Sequence, residues 1–158
     1  MVTPWLAADA VSLAQIIVAA HRRHTGRELI TPADDGLRLA TALYTAPMVV
    51  LAHDGAADPC FIYANRSAQD LWGYPWADFI GLPSRLSAPP DQRALRAGLL
   101  AAGRAEGVAT ARDLQRVTRD GRRFVIAEVV LWSLDQDGVR GQAATYDRWR
   151  FVAFDAST

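Results

Sequence analysis

Along the first third of the chain the apolar positions fall three and four residues apart. Leu6, Ala10, Leu13, Ile17 and His21 form one stripe, which predicts an amphipathic helix from about residue 5 to residue 24. Gly26 ends it. In "TPADDGLRLATALYTAP" Thr31 offers an N-cap, Pro32 a first helical position and Asp34 a first-turn acid, so a second helix is expected to start there and stop at Pro47. The period then changes. "MVVLAHD" and "PCFIYAN" are short apolar runs either side of the turn-rich "DGAAD", which reads as two strands of a hairpin. "YANRSAQDLWGYPWADFIG" continues with two short helical stretches, each followed by a glycine. After "SAPP" a longer helix is expected from about Pro90 to Glu106, with Leu95, Leu99 and Ala102 inward and Arg93, Arg96 and Arg104 toward solvent. Three strands close the chain, joined at "RDGR" and "DQDG", where Asp-Gly suits tight hairpins. This order predicts an α+β domain, one antiparallel sheet with helices packed on it.

Composition narrows the chemistry. A chain of 158 residues, 51% hydrophobic and 22% charged, has the makings of one folded domain rather than a disordered segment. Seventeen basic and seventeen acidic residues cancel, so neither nucleic acid nor a membrane surface is an expected partner. All seventeen basic residues are Arg, which removes Schiff-base chemistry and a lysine general base. A single cysteine, Cys60, excludes an internal disulfide and a multi-cysteine metal site, and fits a cytoplasmic location. The first helix lacks a basic start and is interrupted by Asp9, Ser12 and Gln15, too polar for a secretory signal or a membrane span.

Several stretches match a family. "FIYANRSAQDLWGYPWADFIG" resembles the opening of a PAS domain, and "RVTRDGRRFVIAEVVLWSLDQDGVRGQAAT" resembles its last strands. "LYTAPMVVLAHD", "DPCFIYANRSA", "GLPSRLSA" and "RGQAATYDRW", in that order, resemble the bacterial MEKHLA type of PAS-related domain over roughly residues 37 to 150. The resemblance implies a PAS-like five-stranded antiparallel sheet flanked by short helices, with a ligand cavity between helices and sheet. The chain then divides into an N-terminal helical extension (1–36, carrying the two extra helices), the PAS-like domain (37–151) and a short tail (152–158). In plants the MEKHLA-type domain ends homeodomain–leucine-zipper transcription factors, a regulatory setting. No DNA-binding helix pair or zipper is read here, so output is expected through a homodimer or a separate effector protein. A LOV-type flavin adduct is not expected, because "GLPSRLSA" carries no cysteine where that motif needs one and Cys60 stands one strand earlier. The resident cofactor, if any, is left open.

Within this frame the candidate site residues sort by chemistry. Asn65 can cap the helix after its strand, and Gly73 and Gly81 relieve the backbone where the short helices end, a structural corner. Trp72, Tyr74, Trp76 and Phe79 crowd aromatic area beside it, for packing or for one wall of a pocket, and Leu95 and Leu99 face them from the long helix. Glu128 shares a face with Phe124, Ile126, Val130 and Trp132 by strict alternation, so it is expected to be paired with an Arg or to anchor a ligand. Gln142 offers an amide able to reorient, or an exposed edge residue. Arg85 can hold a carboxylate or phosphate, or pair with Asp78 or Asp91. Cys60 reads as a small core residue. His21, His24 and His53 lack the third ligand of a convincing metal site, and no metal or catalytic residue is assigned.

These readings converge on a non-enzymatic sensory or regulatory module that binds a small ligand or a partner and signals through a helix or dimer contact. Two alternatives stand beside it. One is an interaction module without ligand, its first helix packing on the sheet of a second copy through Leu13 and Ile17. The other is a small enzyme with the cone fold of ketosteroid isomerase, using Glu128 or an Asp as base. A strand order of 2-1-5-4-3 excludes the cone fold.

Overall fold

The computed structural model describes residues 3–153, so most of the expected tail, residues 154–158, lies outside the described residues. Helices α1 (Ala8–Thr25) and α2 (Gly36–Tyr44) lead into strands β1 (Val49–Asp54) and β2 (Phe61–Ala64). Short helices α3 (Arg66–Trp72) and α4 (Trp76–Phe79) and a 3-10 turn at Ser84–Ser87 precede the long helix α5 (Arg93–Glu106). Strands β3 (Val108–Val117), β4 (Arg123–Gln136), β5 (Val139–Tyr146) and β6 (Trp149–Phe151) complete the chain. All pairings are antiparallel in the order β2-β1-β5-β4-β3, the PAS order, which excludes the cone fold. β6 resumes the β5 edge of β4 lower down, pairing Phe151 with Phe124.

The sheet has two covered faces. On one lie Val50, Ala52, Tyr63, Trp132, Leu134 and Ala143, packed against α1 and α2 through Ala14, Ile17, Val18, Ala40 and Leu43. On the other lie Val49, Leu51, Phe61, Phe124, Ile126, Val129 and Tyr146, under Trp72, Phe79 and Leu99. The stripe on α1 is thus occupied inside the chain: Ile17 has no exposure at all, which corrects the expectation that it meets a second copy. Burying it here removes apolar surface from water without needing a partner.

Three local expectations change. α2 starts at Gly36 rather than at Pro32, because Asp35, not Thr31, is the cap, its side chain accepting from Leu37 N at 2.9 Å. The β4–β5 turn is the tight one, with both Asp137 and Gly138 at positive φ, whereas Thr118–Arg122 forms a wider loop tied by Arg122 N donating to Thr118 Oγ1 at 3.1 Å. The alternation along β4 breaks. Phe124 and Ile126 face the α5 side, but Trp132 and Leu134 face α1. The switch falls at Ala127–Glu128, across from Asp113 on β3, which sits at φ 57 and inserts the irregularity.

Candidate functional site

The corner after β2 is built around one side chain. Asn65 Oδ1 accepts from Ala68 N at 3.1 Å, capping α3, and also from Val50 N at 3.0 Å on β1. Its Nδ2 donates to Met48 O at 2.9 Å and Leu43 O at 3.2 Å, the end of α2. A fully buried amide with four partners leaves nothing unsatisfied. Gly73 and Gly81 adopt φ 83 and 92 where the two short helices stop. This corner carries Trp72 and Phe79 onto the sheet. Trp72 Nε1 donates to Tyr146 Oη at 3.1 Å, and Phe79 packs edge-on against Phe61 at 5.0 Å.

Between α5, the Ser84–Ser87 turn and the central strands lies a partly enclosed cavity of about 60 Å³. Leu51, Phe61, Trp72, Leu99, Ile126 and Leu131 give it apolar walls. Its polar lining is His53, Ser84, Ser87, Arg96, Arg116 and Gln142. An open groove continues outward past Arg96 and Gln142 toward Arg85, Arg93 and Arg104.

The helix places an arginine where leucine was expected. α5 buries Arg96, Leu100 and Gly103, while Leu95 is 58% exposed, so the inward stripe runs one residue later than the sequence suggests and Leu95 lies off the cavity. Leu99 does line it. Gly103 permits the close approach: a Cβ there would meet Gln142 Nε2 at 2.7 Å and Leu131 Cδ2 at 2.9 Å. Arg96 is 8% exposed and donates to Ser84 Oγ. Burial and the neighbouring Arg116 draw its pKa down to about 10, so it remains charged at neutral pH. Arg116 shares its strand face with Leu114, donates to Gln115 O at 2.7 Å, and is likewise lowered by burial. Among the described residues neither arginine has a carboxylate within 4.0 Å.

Two acceptors complete the lining. Gln142, on a central strand and 1% exposed rather than at an edge, donates from Nε2 to Leu100 O at 3.0 Å, while its Oε1 is buried without a partner. His53 Nδ1 lies 2.9 Å from Asp54 O, which fixes the proton on that nitrogen and leaves Nε2 a bare, buried acceptor. Burial holds its pKa below the usual histidine range, so the ring is neutral.

The other sequence candidates fall elsewhere. Glu128 stands at the face switch, off the cavity and 42% exposed, paired with Arg112 at 3.4 Å. Arg85 pairs with Asp58 at 3.2 Å in the outer groove, not with Asp78 or Asp91, which take Arg119 and Arg123, each at 3.0 Å. The Cys60–Pro83 bridge explains this by bringing Asp58 beside the Ser84–Ser87 turn. Cys60 itself is partly exposed rather than core. Phe79 backs the wall without lining it. Among the described residues no group of three His, Cys, Asp or Glu could hold a metal, and no helix is long and apolar enough to cross a membrane.

A profile of the MEKHLA domain matches residues 11–151. The chain belongs to the MEKHLA domain family. The match takes in most of α1 as well as the sheet. No curated protein matches it. Among solved structures it is similar to the PAS domain of a protein from Colwellia psychrerythraea, at 18% identity and a TM-score of 0.61 over 73% of this chain and 94% of that one. A light-oxygen-voltage domain studied with a flavin analogue gives 22% identity and 0.55 over 73% and 85%. The PAS domain of a LuxR-family transcriptional regulator from Burkholderia thailandensis, in complex with ethanol, gives 19% and 0.53 over 71% and 95%. These likenesses establish the fold, an α+β PAS fold of the kind found in sensory modules. Cys60 does not line the cavity.

Proposed function

We propose that this MEKHLA domain is a sensor whose input is a small molecule held between α5 and the sheet. One observation carries the reading: a partly enclosed cavity with apolar walls whose lining includes His53 and Gln142, residues that each keep a buried acceptor, Nε2 and Oε1, without a partner. An unmet buried acceptor costs about 1–3 kcal/mol, which a ligand donor in the cavity offsets. The ethanol complex of the Burkholderia thailandensis PAS domain supplies a precedent for a ligand of that scale in this fold. Output would run through α5, since Gln142 grips the Leu100 carbonyl while facing the ligand space. A change at Gln142 Oε1 alters the same amide that holds the helix.

The test is thermal shift and native mass spectrometry of the purified chain against a broad panel of small neutral and charged metabolites, with Ala144→Leu as the blocked control. Ala144 lines the cavity opposite Leu51. A saturable shift lost in Ala144→Leu supports the reading. No shift from any compound, or shifts that survive the block, would count against it.

A further inference from the structure

Two arginines line this one small cavity and no acid does. Arg116 is close enough to lower the tendency of Arg96 to hold its proton, and the acid that acts on Arg96 from a distance, Asp58, is already paired with Arg85. Removing charged groups from water without a counter-charge is expensive, by several kcal/mol per ion. Such a pair is a site for an anion, and resting on the sensor reading above, we propose that the ligand is a small hydroxycarboxylate.

Each part of that description has a residue behind it. The carboxylate belongs on Arg96 and Arg116, whose planar forks match its two oxygens. The hydroxyl belongs on Gln142 Oε1 and His53 Nε2, which stand in register on adjacent strands and therefore side by side. Both are acceptors, so the ligand must donate to them. An ammonium would also donate, but the cavity has no carboxylate to pair it and two cations to repel it. The apolar remainder faces Leu51, Leu99, Ile126 and Leu131, surfaces that inorganic phosphate cannot use. The volume suits a small ligand: a cavity needs about 10–15 Å³ to hold one water, so about 60 Å³ has room for a molecule on the scale of glycolate or lactate.

The experiment is calorimetric titration of the intact chain at neutral pH and constant ionic strength with lactate, glycolate, propionate, lactamide and sodium phosphate. Lactate or glycolate should bind saturably. Propionate, lacking the donor, should bind about tenfold more weakly, and lactamide, lacking the charge, weaker still. Arg96→Met and Arg116→Met should each lose tenfold or more. Because a variant may fold poorly, saturation-transfer NMR on the unaltered protein provides a second readout, with lactate methyl signal expected and displaced by glycolate. Phosphate binding as tight as lactate, or lactate binding unchanged in both arginine variants, would overturn the proposal. If lactamide or an alcohol from the broader panel binds and no carboxylate does, the hydroxycarboxylate proposal fails while the sensor reading stands. If nothing in either panel binds, both fail.

Discussion

The indole of Trp132 on β4 donates to the carbonyl of Ile17 on α1 at 3.1 Å, and the ring lies edge-on to His21 at 4.7 Å. This pair fastens the N-terminal helix to the sheet of its own chain. Replacing Ile17 with Asp should therefore unfold the domain rather than dissociate a dimer, with a loss above about 4 kcal/mol from an unpaired buried charge. Trp132→Phe should cost about 1 kcal/mol, chiefly the lost donor. Denaturant unfolding measures both; an Ile17→Asp protein of unchanged stability would mean that α1 is undocked.

Asn65 is more than a helix cap, and one substitution separates its two roles. Asn65→Asp keeps the oxygen that accepts from Ala68 and Val50 but turns the donor facing Met48 O and Leu43 O into a second acceptor. Stability should fall by about 3 kcal/mol at neutral pH, and partly recover in acid as the carboxyl takes up a proton. A loss under 0.5 kcal/mol, the order expected when a cap oxygen is preserved, would show that the tether is dispensable.

Gly103 sets how closely α5 approaches the sheet. Alanine there gains about 1 kcal/mol of helix propensity, yet its Cβ would drive into Gln142 and Leu131. The net effect should be destabilising by about 1–2 kcal/mol, with the Gln142–Leu100 bond weakened. Hydrogen exchange of the α5 amides should speed up relative to those of α1. A more stable protein would show that the helix has room to move.

The histidines make acid unfavourable. Burial lowers the pKa of His21, His24 and His53 below 6.5, so the unfolded chain takes up protons that the folded one refuses. Stability is complete above pH 6.5 and declines as pH falls beneath it. For His53 the facing charges are Arg96, Arg104 and Asp54, and the two arginines deepen the effect while Asp54 opposes it. His53→Gln should flatten the fall in Tm between about pH 7 and pH 5. An identical pH profile in the variant would assign the effect to the other two rings.

The architecture was legible because its signals are local. Asp-Gly turns, a two-residue period in the strands and the Asn corner each act over a few residues and mark the strands and their hairpins, while the five-stranded PAS-like sheet that the structure shows was implied by the family resemblance. The cavity was not. Hydropathy puts Leu95 inward and Arg96 outward, but what α5 faces is an apolar-walled cavity with polar groups on strands far away in sequence. The spacing Arg96, Leu100, Gly103 held the signal, since a glycine at i+7 marks a helix face pressed on something. Arg116 could have been placed from its two-residue offset to Leu114. Glu128 could not, because one left-handed aspartate on the neighbouring strand undoes the alternation that located it.

That left-handed Asp113 has a wider effect. It lies where β4 changes which positions face the cavity side, from Phe124 and Ile126 to Val129 and Leu131, and this shift sets Leu131 against the cavity and Trp132, one peptide bond on, against α1. A single covalent link therefore separates the cavity wall from the anchor of the N-terminal helix. A displacement at Leu131 reaches the opposite helical layer through the sheet, without passing around its edge.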